Sequence, residues 1–157
     1  MNKKKTSPEE LFKHAFENHK KNNLEVAESF YKDAIKENPN HLGSLFYLGG
    51  LFAQKKLFNE ARELFEKVHK INPKYPAVSD NLCAIYKMLA SISSKKGKLI
   101  ETKKIFEKFL NLNPNDLETN YKYGVLLLQI NQHAEGLNYI KKGTGFIRFE
   151  SASCKII

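Results

Sequence analysis

The sequence contains no tryptophan, two cysteines, two arginines and no apolar run of membrane-spanning length. Each shortage excludes something. Cys83 and Cys154 are too few for a disulfide framework or a thiolate metal cage, so a reducing, cytoplasmic setting is expected. The apolar run at residues 125–128 falls far short of the about 20 residues that cross a bilayer, and no membrane is expected. Residues 1–13 pass from lysines straight into acidic residues, without the apolar segment of a secretory signal.

Scarce arginine also bears on charge. The formal net charge is +9, yet all but Arg62 and Arg148 of the 26 basic residues are lysine. Arginine is the residue that forks onto phosphate and guanine edges. The accompanying wealth of Asn and Ile fits a codon bias toward A and T, which raises lysine without selection for binding. The lysines follow the solvent side of nearly every helical segment rather than gathering on one face, so nucleic acid is not the expected partner.

Groups suited to catalysis are also lacking. His14 and His19 are five residues apart and do not share a helix face as ligating pairs three or four apart do. His41, His69 and His133 read as surface residues. Cys83 falls within a helical pattern, in the place of a small buried residue and with no activating partner nearby in sequence. Gly143 and Gly145 lack the strand, third glycine and following helix of a dinucleotide loop and read as a helix cap and turn. No catalytic residue, metal or cofactor is assigned, and no enzyme activity is expected.

What the sequence does contain is repetition. The segments AESFYKDAIKENPN, ARELFEKVHKINPK and TKKIFEKFLNLNPN each close with Asn-Pro after an aromatic and an apolar residue. Pro39 and Pro73 lie 34 residues apart, and Pro114 follows after 41, so the third unit has seven extra residues. Seven residues are two helical turns, which nearly preserves helix phase. The polar stretch at residues 93–98 is expected as the tip of that longer hairpin. Helices are expected at 8–21, 24–38, 41–54, 57–71, 76–93, 98–112, 116–130 and 134–142. Ser7, Pro8 and Glu10 make an N-cap, first-turn proline and capping-box acid. Asn40, and Asn115 with Asp116, offer acceptors at later helix starts.

With Leu45, Leu48, Gly49 and Phe52 in one helix and Ala61, Phe65 and Pro73 in the next, the second unit closely resembles the tetratricopeptide repeat. The first unit keeps Ala15, Ala27, Tyr31 and Pro39, the third Leu82, Cys83, Tyr86, Phe106 and Pro114, and the fourth Tyr123, Gly124, Leu127, Gly136 and Ile140. The resemblance implies an all-α, right-handed superhelical solenoid of four helical hairpins, near residues 8–41, 42–75, 76–116 and 117–142, the third elongated. A short non-helical C-terminal tail follows at 143–157, with strand-like pieces, and Phe146, Ile147 and Phe149 are expected to cap the last hairpin. The array as a whole is expected over residues 1–142.

The resemblance further implies a concave groove lined by first helices and holding a protein or peptide partner. Its candidate binding residues are Phe12, Phe16, Phe46, Tyr47, Asp80, Asn81, Ala84, Tyr121 and Val125, several of them aromatic or apolar, which suggests a partner with apolar anchors. The places where chaperone-binding members grip a terminal carboxylate hold Phe12, Phe16, Tyr47, Ala77 and Asn81, so no carboxylate-clamp tail is expected. The expected function is a scaffold or interaction module, with self-association open through the last hairpin. The alternative is a targeting or substrate-docking segment of a bacterial modifying enzyme whose catalytic domain is absent from this chain.

Overall fold

A computed structural model describes residues 6–145 and, as backbone, residues 147–150 and 153–156. Among the described residues the chain forms eight helices: α1 (Pro8–Lys20), α2 (Leu24–Glu37), α3 (Leu42–Gln54), α4 (Phe58–Ile71), α5 (Val78–Lys95), α6 (Leu99–Leu112), α7 (Leu117–Gln129) and α8 (His133–Thr144). The strands β1 (Ile147–Glu150) and β2 (Ser153–Ile156) then pair antiparallel, with Ile147 opposite Ile156 and Phe149 opposite Cys154. The fold is an all-α helical repeat, and among the described residues strands are confined to this terminal hairpin. Phe146 lies outside the described residues, as do the side chains of Ile147 and Phe149.

Local chemistry sets the helix ends. Ser7 accepts from the Glu10 amide at 3.1 Å while the Glu10 carboxylate accepts from the Ser7 amide, completing the expected capping box. At α3 the cap is His41 rather than Asn40, its Nδ1 accepting from the Ser44 amide, and at α7 it is Asp116 rather than Asn115, accepting from the Thr119 amide at 2.8 Å. Before each proline, Asn38, Asn72 and Asn113 leave helical geometry with φ between −134° and −142°. Asn38 and Asn72 then turn the chain by accepting from the amides of Asn40 and Lys74.

The turn inside every hairpin is the same three-residue device. Its middle residue is left-handed, at Asn22, Lys56, Gly97 and Asn131, with φ from 61° to 69°. The following amide donates back to the carbonyl five residues earlier, as in Asn23 to Asn18, Leu57 to Phe52, Lys98 to Ser93 and Gln132 to Leu127.

Small residues set the approach of the two helices in each hairpin. Ala15 and Ala27, Gly49 and Ala61, Ala90 and Thr102, and Gly124 and Gly136 are all buried, and each pair is separated by twelve residues. This corrects the register of the third hairpin. Its close-packing position is Ala90, not Cys83, which is only half-buried. Five of the seven extra residues lengthen α5, which has 18 residues against 13 in α3, and the other two fall in the loop before it. Gly143 is likewise not a cap. It lies inside α8, where an added β-carbon would come within 2.5 Å of the Tyr121 amide nitrogen, and Gly145, with φ of 82°, terminates the helix instead.

The chain divides within α5 into two compact units, one reaching to Ile85 and one starting at Tyr86. In the first, Ala15, Ala27, Tyr31, Leu48 and Leu51 form a buried cluster against which Phe12, Phe30, Tyr47 and Phe52 pack. In the second, Ile105, Phe106, Phe109, Tyr123, Leu126, Leu127 and Ile140 are buried. Burying each such large apolar side chain contributes about 1.5–3 kcal/mol. No helix among the described residues is long and apolar enough to cross a membrane.

Candidate functional site

In the first unit the candidate residues of α1 and α3 form one aromatic cluster. The Phe12 ring lies 5.2 Å from His41, 5.8 Å from Tyr47 and 6.0 Å from both Phe16 and Tyr31. Phe16 meets Tyr47 edge-on at 5.0 Å, and Phe46 sits 5.1 Å from Tyr75 and 5.5 Å from Phe65. All four candidates are half-buried: Phe12, Phe16 and Tyr47 join α1 to α3, while Phe46 packs α3 against Phe65 of α4 and Tyr75. His19, and His41 that was expected at the surface, belong to this cluster as well. His41 caps α3, and the His19 Nδ1 lies 3.3 Å from the Tyr31 hydroxyl. Burial, and secondarily the neighbouring Tyr47 hydroxyl, pushes the Tyr31 and Tyr75 phenols above their ordinary range. Asp80 and Ala84 are exposed and Asn81 half-buried, on the first turns of α5.

The second unit holds an open groove of about 450 Å³. Its walls are α5, contributing Lys87, Ala90, Ser91, Ser94 and Lys95, and α7, contributing Glu118, Tyr121, Lys122, Val125 and Gln129. Thr102 and Phe106 of α6 form the floor. Tyr121 and Val125, both candidates from the sequence, thus line it. Ser91 was missed, for a definite reason. Counting from the small residue of each first helix, the groove places three residues before and one after are Phe12 and Phe16, Phe46 and Gly50, and Tyr121 and Val125. In the third hairpin, counted from Ala90, they are Lys87 and Ser91, seven residues after Asp80 and Ala84. The twelve-residue spacing from Ala90 to Thr102 was the signal in the sequence.

Charge in the groove is organised around Glu118. Its carboxylate meets the Lys122 ammonium at 2.6 Å and the Lys87 ammonium at 3.4 Å. Lys87 also reaches Asp116 at 3.0 Å. The hydrogen bond from Lys122, then its charge, and then Lys87 hold the Glu118 carboxyl below the usual range. Partial burial pushes Asp116 up and Lys87 down, but both shifts are outweighed, for Asp116 by the Thr119 hydrogen bonds and Lys87, and for Lys87 by the two carboxylates. Lys95 makes no ion pair among the described residues. Buried Asn120, also missed by the sequence reading, is spent on structure, donating to the carbonyls of Pro114 and Asp116.

Repeated helical hairpins with a buried small pair, three of them closed by Asn-Pro, define a helical-repeat protein. Residues 84–116, a span that includes Ala90 but not Cys83, match the family model described as Tetratricopeptide repeat. The TPR repeat-containing protein PA4667 of Pseudomonas aeruginosa is 30% identical over 97 residues, which are 61% of this chain and 15% of that protein. This chain therefore spans only a small part of its relative. Among solved structures, MamA AMB-1 superposes with a TM-score of 0.59 at 18% identity, covering 89% of this chain and 73% of that one. YrrB, a TPR protein with an unusual peptide-binding site, gives 0.55 at 20%, covering 90% and 70%. TTC0263, a thermophilic TPR protein of Thermus thermophilus, gives 0.51 at 17%, covering 88% and 74%. At these identities the likeness is one of fold.

Proposed function

We propose that this chain is a protein-interaction module that holds a peptide or protein segment against its first helices, without catalysing a reaction. The observation that carries the reading is the groove between α5 and α7, whose apolar floor and wall, Ala90, Phe106 and Val125, sit beneath a rim of hydroxyls and charges. A few polar groups around an apolar hollow are what fix the orientation of a bound segment. The half-buried rings of Phe12, Phe16, Phe46 and Tyr47 extend the proposed surface in the first unit, with Asp80, Asn81 and Ala84 at the start of α5. The fold supports the reading, since tetratricopeptide repeats generally serve protein interaction, and YrrB, of the same fold, is a peptide binder.

Affinity capture from the native cell, comparing the intact chain with a Ser91→Arg/Tyr121→Ala double variant, tests it. Both residues are exposed, so the variant keeps its fold, which circular dichroism checks. One or more proteins captured by the intact chain and lost by the variant is the expected result. Identical captured sets would remove the groove from consideration.

One observation favours a second reading, a docking segment of a modifying enzyme. The β1–β2 hairpin follows the last helix directly, and an isolated two-stranded hairpin is marginally stable without further sheet. On that reading the catalytic domain belongs to a longer chain or another polypeptide.

A further inference from the structure

We propose that the α5–α7 groove selects an acidic peptide segment with an apolar anchor, and that Glu118 is an internal competitor that such a segment displaces. This rests on the binding role argued above and names the chemistry of the partner.

Register supplies the first argument. The groove places of the first two hairpins are aromatic or glycine, whereas the third contributes Lys87 and Ser91. Three lysines, Lys87, Lys95 and Lys122, line the hollow against a single carboxylate, Glu118, in a chain of net charge +9. Complementarity therefore favours negative charge in the occupant and repels a basic one.

Geometry supplies the second. Glu118 lies between Lys122 and Lys87, the position a ligand carboxylate would take. Its side chain is 59% exposed, so it can swing away at small cost. Asp116 cannot, because it is 20% exposed and caps α7 through the Thr119 amide. With Glu118 turned out, Lys122 is left without an ion-pair partner among the described residues, while Lys87 stays anchored on Asp116. Lys95, on the α5 wall, already makes no ion pair among the described residues. An acidic side chain then meets two lysines, while a leucine-sized neighbour reaches the surface of Phe106 and Val125.

Fluorescence anisotropy on the full chain tests this with two labelled twelve-residue peptides, one of Glu, Ser and Leu and one of Lys, Ser and Leu at the same positions. At low salt the Glu peptide is expected to bind about tenfold or more tighter than the Lys peptide, and to weaken as salt rises. Glu118→Gln should tighten the Glu peptide by about 2- to 5-fold, and Lys95→Glu should weaken it by a similar factor. Both side chains are exposed, so neither change threatens the fold. Equal binding of both peptides, lost in Val125→Glu, would leave a peptide-binding groove standing and overturn its acidic preference. An unchanged affinity in Glu118→Gln would overturn the competitor role. No binding of either peptide would overturn the proposal as a whole.

Discussion

Gly124 and Gly136 cross so closely that a β-carbon added to Gly124 would come within 2.7 Å of the Gly136 carbonyl oxygen and of Ile140. Backbone cannot yield as a side-chain tip can. Gly124→Ala is therefore expected to destabilise the second unit by about 1–3 kcal/mol. Gly50, with nothing within 4 Å of its added β-carbon, gives the contrast: Gly50→Ala should stabilise by up to about 1 kcal/mol through helix propensity. Denaturant unfolding followed by circular dichroism measures both, and equal effects would contradict the packing argument.

Lys56 occupies a left-handed turn position, φ 61°, that Gly97 fills in the third hairpin. A side chain there costs about 1–2 kcal/mol. Lys56→Gly is expected to raise stability, partly offset by glycine's greater freedom in the unfolded chain, whereas Gly97→Ala should lower it by about 1 kcal/mol. Thermal melts of the two variants should move in opposite directions.

The Lys87, Asp116 and Glu118 network makes stability depend on pH. The carboxyls are lowered from 3.8 and 4.5, so their contribution is present above those values and fades as the pH falls through their lower folded values. Lys87 is raised from 10.5, so its share is present below that value and lost as the pH climbs through its higher folded one. Lys87→Met should cost about 1 kcal/mol or less near neutrality, since these groups are partly solvated, and should flatten the acid limb of a stability-versus-pH curve measured in urea. A parallel, merely displaced curve would show that the pairs contribute nothing.

Leu137 is half-buried on the last helix, while Ile140 and Leu127 are already covered within the α7–α8 hairpin, where they pack against the two glycines. Less apolar surface thus awaits a cap than the sequence suggests. Truncation after Gly145 retains the helix terminator and removes the β1–β2 hairpin. If that hairpin covers the end of the stack, the truncated chain should melt earlier or self-associate through its last hairpin. Light scattering with a melting curve decides, and an unchanged, monodisperse monomer would dismiss the cap.

Eight helices were legible because their signals are local. Ser7 with Glu10, the three Asn-Pro closures and the small and aromatic residues at fixed spacing act within a turn or two of themselves. The groove of the second unit was only half legible. Tyr121 and Val125 follow from a hairpin whose register is fixed by Gly124 and Gly136, whereas Ser91 was hidden by an insertion of two whole turns, which leaves the hydrophobic pattern in phase and conceals its own position.

By itself the sequence determined the helices, their order, the turn positions and the excess of lysine, because propensity, capping and periodicity are properties of neighbours in the chain. Only the tertiary structure decided that the extra residues extend α5 at its start, that Gly143 gives room to Tyr121 rather than ending a helix, and that Glu118 stands between Lys87 and Lys122. Those outcomes depend on distances between helices, which are set by how side chains fill the space between them and leave no mark on local sequence.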